Sequence, residues 1–172
     1  MQTLLPSKFT GIIQLAPADE LKLLELQQQV LEQYSDQQPN PKLHVTLLHQ
    51  SFPKLVTNNE GLRGDKALKA LYKSGGHMTI PTPTLQLGEV KMGFDLIKDR
   101  RSSYVVINNP GECIQMRDAI LKAAGIDPEA INDVLSEDEI GRIFHISLTN
   151  RDGNSGASIA YPTAGDTLVE TI

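Results

Sequence analysis

Two stretches of this chain follow one pattern: Leu43-His44-Val45-Thr46-Leu47 and Phe144-His145-Ile146-Ser147-Leu148. Each reads apolar, histidine, β-branched, hydroxyl, apolar. From ordinary residue frequencies, two such matches arise by chance on the order of once in several thousand chains. Side chains alternate across a strand, so residues two apart share a face. His44 and Thr46 are therefore expected on one face and Leu43, Val45 and Leu47 on the other, against a core. The same holds for His145 and Ser147. An imidazole titrates near neutrality, so one of a facing pair can accept a proton while the other donates one. Hydroxyls beside them can donate hydrogen bonds to the non-bridging oxygens of a phosphate, where charge collects in the transition state. This constellation suits phosphodiester cleavage by water, or by a ribose 2′-hydroxyl, and calls for no metal or cofactor.

The elements that must position these groups repeat as well. Phe9 to Ala16 reads as a strand. A helix follows from a cap near Asp19 to about Ser35, with Leu23, Leu24, Val30, Leu31 and Tyr34 at helical spacing, and a second strand spans Leu43 to Leu48. The order recurs as a strand at 103–108, a helix from Glu112 to Ala124 stopped by Gly125, and a strand at about 142–149. Packing about a pseudo-twofold axis would bring the two motifs to one cleft. Between the copies, Asp65 to Lys73 reads as a helix closed by Gly75-Gly76. Thr79 to Met92 offers one or two strands whose prolines, Pro81 and Pro83, suit a sheet edge. Lys98 to Arg101 is expected as an exposed turn, Pro128 and Ser136 as helix starts, Asp152 to Gly156 as a turn, and the tail from Thr163 as a last strand.

Composition frames this reading. The chain has 172 residues, 40 % of them hydrophobic and 22 % charged, with a net charge of -5. That length suits one domain over residues 1–172 with its own core. Acidity disfavours wrapping a long nucleic acid, which needs a basic face, but allows a small anion in a locally basic pocket. A single cysteine, Cys113, excludes an intrachain disulfide and reads as packing. No run reaches the ~18 apolar residues of a membrane span. The first sixteen residues lack the basic and apolar regions of a signal peptide, so the expected compartment is the cytoplasm. No metal-ligand spacing stands out.

On His44, Thr46, His145 and Ser147, and on the order of elements over residues 9–149, the chain resembles the 2H phosphoesterase superfamily. That family includes 2′,5′-RNA ligase-like proteins, 2′,3′-cyclic phosphodiesterases and phage nucleases that destroy the cyclic oligonucleotide signals of CBASS immunity. The resemblance implies an α+β fold of two pseudo-symmetric antiparallel-sheet lobes around a cleft. It implies metal-independent chemistry with His44 and His145 as acid and base and Thr46 and Ser147 as phosphate ligands. Serine in place of threonine in the second motif keeps the hydroxyl. The segment Thr149 to Gly156 is similar to phage-encoded members, which would place the protein in a host cytoplasm.

The leading expectation is thus a phosphodiesterase, working as a monomer on a cyclic or short RNA-like oligonucleotide. The alternatives are RNA-end processing, by opening a 2′,3′-cyclic phosphate or acting on a 2′,5′ linkage in tRNA, and a nucleotide-binding module without turnover. Arg101, with its neighbour Arg100, is a candidate to grip a phosphate. Tyr104, Tyr161 and Phe94 are candidates to stack on a base. His49, five positions after His44, is expected on the opposite face, and His77 in a loop.

Overall fold

The computed structural model describes residues 3–4, 12–17, 20–49, 51–154 and 156–172; for 3–4 and 12–17 it describes the backbone alone. The expected strand residues 9–11 and the cap at Asp19 lie outside the described residues. The architecture is α+β: helices packed on an antiparallel sheet. The strands are β1 (Thr3–Leu4), β2 (Ile12–Pro17), β3 (Gln38–Pro39), β4 (Val45–His49), β5 (Leu87–Asp95), β6 (Arg100–Ile107), β7 (His145–Asn150) and β8 (Thr167–Val169). The helices are α1 (Glu20–Gln33), α2 (Gly64–Ser74), α3 (Pro110–Ala123), α4 (Pro128–Val134) and α5 (Glu137–Ile140).

The strand order is β1-β2-β4-β7-β6-β5-β8, with β3 added to the end of β7. The two repeats, β2-α1-β4 and β6-α3-β7, therefore meet where β4 lies beside β7. The helices cross over: α1 packs on β7 and α3 on β4. Each copy's helix covers the other copy's motif strand, so one core closes beneath both. Leu23 and Val30 of α1, Cys113 and Ile120 of α3, and Val45, Leu47, Leu48, Ile146 and Leu148 of the strands are all buried in it.

Most local expectations hold, and their departures have causes. In α1 the buried stripe is Leu23, Leu26, Gln27 and Val30, while Leu24 is exposed. A glutamine belongs there because its Nε2 donates to the carbonyls of Leu148 (2.8 Å) and Asn40 (3.2 Å). The glycine stops are real: Gly75 and Gly125 adopt φ of +74° and +77°, open to residues without a Cβ. Asp127 and Ser136 cap α4 and α5 through Glu129 N–H and Glu139 N–H. Pro81 and Pro83 do not edge a strand; they lie in the irregular run before β5. β5 itself is interior, flanked by β6 and by the C-terminal β8, a partner too distant in sequence to be foreseen. Arg100 and Arg101 belong to β6 rather than to the turn.

Candidate active site

Val45 of β4 pairs with Ile146 of β7 in an antiparallel register, the one position at which these strands pair. It follows that Thr46 stands opposite His145 and His44 opposite Ser147. Each imidazole is thus flanked by its own motif's hydroxyl along the strand and by the other motif's hydroxyl across it. All four side chains line a cavity of about 340 Å³ on the sheet face away from the core. Among the described residues, neither the Thr46 nor the Ser147 hydroxyl has a hydrogen-bond partner, which leaves both available to a ligand.

The two histidines are held alike. His44 Nδ1 faces the Lys42 carbonyl at 3.3 Å, and His145 Nδ1 faces that of Ile143 at 2.8 Å. A carbonyl accepts only, so Nδ1 carries the proton and Nε2 is the atom left for chemistry. Their surroundings differ. His145 is 7 % exposed, with the Tyr104 ring edge-on at 5.4 Å. Burial pushes its pKa down to about 4, against the Ile143 hydrogen bond and with help from Arg142 and His44. His44 is half-buried and also lowered, chiefly by burial.

A third imidazole shares the cleft. Regular alternation would put His49 on the face opposite His44, as the sequence predicts. The β2 ladder skips one residue: Ile13 pairs with Leu48 and Gln14 with Thr46, so Leu47 is an extra residue in a β-bulge. Leu47 and Leu48 then both enter the core, and His49 returns to the face of His44 and Thr46. The second motif carries the same device. Ser103 pairs with Thr149 and Tyr104 with Ser147, leaving Leu148 extra. Its carbonyl, out of register, accepts from Asn40 N–H (2.9 Å) and Gln27 Nε2. The repeat thus extends to a bulge at the same position in both strands. At the position matching His49 stands Asn150. Its Oδ1 accepts from the N–H groups of Asp152, Gly153 and Asn154, and its Nδ2 donates to Ser158 Oγ. This ties residues 151–154 to Ser158, which with Ile159 walls the cleft. Gly93 lets that wall approach, since a Cβ there would lie 2.3 Å from Ile159 Cδ1.

The electrostatics are one-sided. Lys98, Arg100 and Arg142 line the cavity, and among the described residues no carboxylate does. Arg142, missed in the sequence, has a side chain only 6 % exposed and pairs with Glu139 at 3.3 Å; among the described residues its Nε has no hydrogen-bond partner. Glu139 also accepts from the Tyr161 hydroxyl (3.1 Å), and burial followed by this carboxylate raises the tyrosine's pKa. Tyr161 is 43 % exposed at the rim, so its ring is accessible from the cleft. Tyr104 is different. It is fully buried, its hydroxyl bonds Asp166, and its ring supports His145, leaving no face for a base. Arg101 is also absent from the cleft. It pairs with Asp36 at 3.0 Å and lies over the Tyr34 ring. Alternation from Tyr104 puts Ser102 and Arg100, not Arg101, on the cleft face. Phe94 is engaged by Arg151 over its ring. His77 is wholly buried, stacked on Tyr72 at 4.3 Å, and takes no part.

Among the described residues, no three His, Cys, Asp or Glu side chains are grouped to hold a metal ion, and no helix is long and apolar enough to cross a membrane. No family model, curated protein or solved structure matches the chain.

Proposed function

We propose that this protein is a phosphodiesterase of the 2H type, two duplicated lobes around one cleft, which cleaves a small RNA-like phosphodiester without a metal. The observation that supports it is the crossed pairing of His44 with Ser147 and Thr46 with His145, in a cavity lined by cations and, among the described residues, by no carboxylate. A neutral imidazole takes the proton of the attacking oxygen on Nε2 as the new P–O bond forms. The other imidazole, protonated, gives its Nε2 proton to the oxygen of the P–O bond that breaks. The attacking oxygen is that of water on a cyclic phosphate or of a ribose 2′-hydroxyl on its neighbouring phosphate. Thr46 and Ser147 donate to the non-bridging oxygens, and Arg142 adds positive potential where their charge grows. His145, the more enclosed and more readily neutral ring, suits the base; His44, more open to solvent, suits the acid. Tyr161 offers a ring at the rim for a base.

The test is a substrate panel in EDTA, read by product mass. It holds 2′,3′-cyclic mononucleotides, 2′,5′- and 3′,5′-linked dinucleotides, and cyclic di- and trinucleotides, with the His44→Ala/His145→Ala variant as blank. Cleavage of one class, absent in the blank, is the expected result. Turnover that survives in the blank, or that appears only when a divalent metal is added back, overturns the mechanism.

A further inference from the structure

Five of the six arginines form ion pairs: Arg63 with Asp65, Arg101 and Arg151 with Asp36, Arg117 with Asp118, and Arg142 with Glu139. Among the described residues, Arg100 has no carboxylate partner. Among the described residues its one side-chain hydrogen bond runs from Nη1 to the Ser158 carbonyl at 3.3 Å, which leaves most of the guanidinium's five N–H groups unused. Lys98, in the β5–β6 turn, forms no ion pair there either. The acids closest to it in sequence are already taken. Asp95 Oδ1 accepts from the N–H groups of Ile97 and Lys98, and Asp99 is held by Arg151 at 3.2 Å. Ser158 Oγ accepts from Asn150 Nδ2, so its own proton is free to be donated. Arg100, Lys98 and Ser158 all line the same cavity as the paired motifs. Uncompensated cations gathered in the cleft of a chain with net charge -5 call for an anion.

The anion is not the one at the histidines. Tyr104 stands opposite Ser147, and Arg100 lies four residues further along the same strand and face. At ~3.3 Å per residue the two levels are about 13 Å apart.

We infer that Lys98, Arg100 and the Ser158 hydroxyl form a second phosphate site, and that the substrate carries at least two phosphates. It is then an oligonucleotide, linear or cyclic, and not a 2′,3′-cyclic mononucleotide. This rests on the phosphodiesterase reading above and narrows its substrate class.

The experiment compares dinucleotides with one internal phosphodiester against the same compounds bearing a 5′- or a 3′-terminal phosphate. The readout is the ratio of kcat/KM for the two-phosphate compound over the one-phosphate compound. In the unaltered protein this ratio should be tenfold or more for one of the two ends. In Arg100→Gln, and to a smaller extent in Lys98→Gln, it should fall toward one. Cleavage of all compounds at equal kcat/KM, or a ratio that neither substitution changes, overturns the second site and leaves the phosphodiesterase reading standing. If the protein cleaves none of them, nor any cyclic compound of the panel above, that reading fails. Calorimetric binding of the same compounds then decides the site: equal affinity with and without the terminal phosphate ends it.

Discussion

His44 and His145 give the same ring nitrogen to the same kind of acceptor, the carbonyl two residues upstream, yet one ring is half-buried and the other almost enclosed. In the proposed mechanism the shared anchor makes Nε2 the reactive atom in both. The unequal burial divides two symmetric groups into unlike ones. A duplicated motif alone supplies two identical catalysts; acid–base chemistry needs two different ones.

Burial of His145 makes stability depend on pH. Its pKa falls from 6.5 to about 4 on folding, so the ring stays neutral in the native state where the unfolded chain protonates. The unfolded state binds more protons in that window. The stabilisation is complete above pH 6.5 and is lost as pH falls toward 4. The expected outcome is a Tm that declines over this range, with a shallower decline in His145→Asn. Parallel curves for the two proteins would show that the ring is not held neutral by its enclosure.

Both motif histidines are shifted downward, so the bell of kcat/KM against pH, which reports the free enzyme, should peak below 6.5. A maximum on the alkaline side of neutrality would exclude His44 and His145 as the titrating pair.

Removing either imidazole should cost about 10²–10⁴ in kcat. Removing a hydroxyl donor, by Thr46→Val or Ser147→Ala, should cost about 10² or more. His44, Thr46 and Ser147 are only partly buried on the cleft face, so thermal midpoints of their variants should move little. A variant that melts far lower but keeps full activity per folded molecule identifies a structural residue instead.

The Arg142–Glu139 pair is almost wholly buried, at 6 % and 3 % side-chain exposure. Glu139→Ala strands a guanidinium in the interior, and loss of one partner of such a pair costs about 3–5 kcal/mol. The double variant Glu139→Ala/Arg142→Met should regain part of that loss in urea denaturation. Simple additivity would mean that the two side chains do not depend on each other.

Asn150→Ala withdraws the acceptor of the three backbone N–H groups of residues 152–154. Hydrogen exchange at Asp152, Gly153 and Asn154 should accelerate while exchange in β5 and β6 stays slow, and KM should rise more than kcat falls. Unchanged exchange at these three amides would show that another contact holds the loop.

Much of this was legible in the chain. Period-two alternation correctly assigned His44, Thr46, His145 and Ser147 to one face and Val45 and Ile146 to the core. Gly75, Gly125 and Ser136 marked helix ends for reasons of backbone freedom and capping. What was hidden depended on partners distant in sequence. His49 looked inward-facing because the bulge at Leu47 arises from pairing with β2, which nothing in 43–49 announces. Gln27 enters the core only because carbonyls of Asn40 and Leu148 await it. Arg142 needs Glu139 folded against it. The choice between Arg100 and Arg101 did have a local signal: Tyr104 lies four residues from the first and three from the second, and only an even spacing shares a face.

A strand that holds one residue more than its neighbour requires can give that residue up. Outside the two bulges, deleting one residue from β4 or β7 would rotate every later side chain to the wrong face. Deleting Leu47 or Leu148 would instead remove the bulge, restore regular alternation, and leave His49 or Asn150 facing as before. The cost is one buried leucine and, at Leu148, the carbonyl that accepts from Asn40 N–H and Gln27 Nε2. These two positions are where the chain tolerates a change of length inside its motif strands, and where the spacing between its cleft-facing groups can be retuned without being undone.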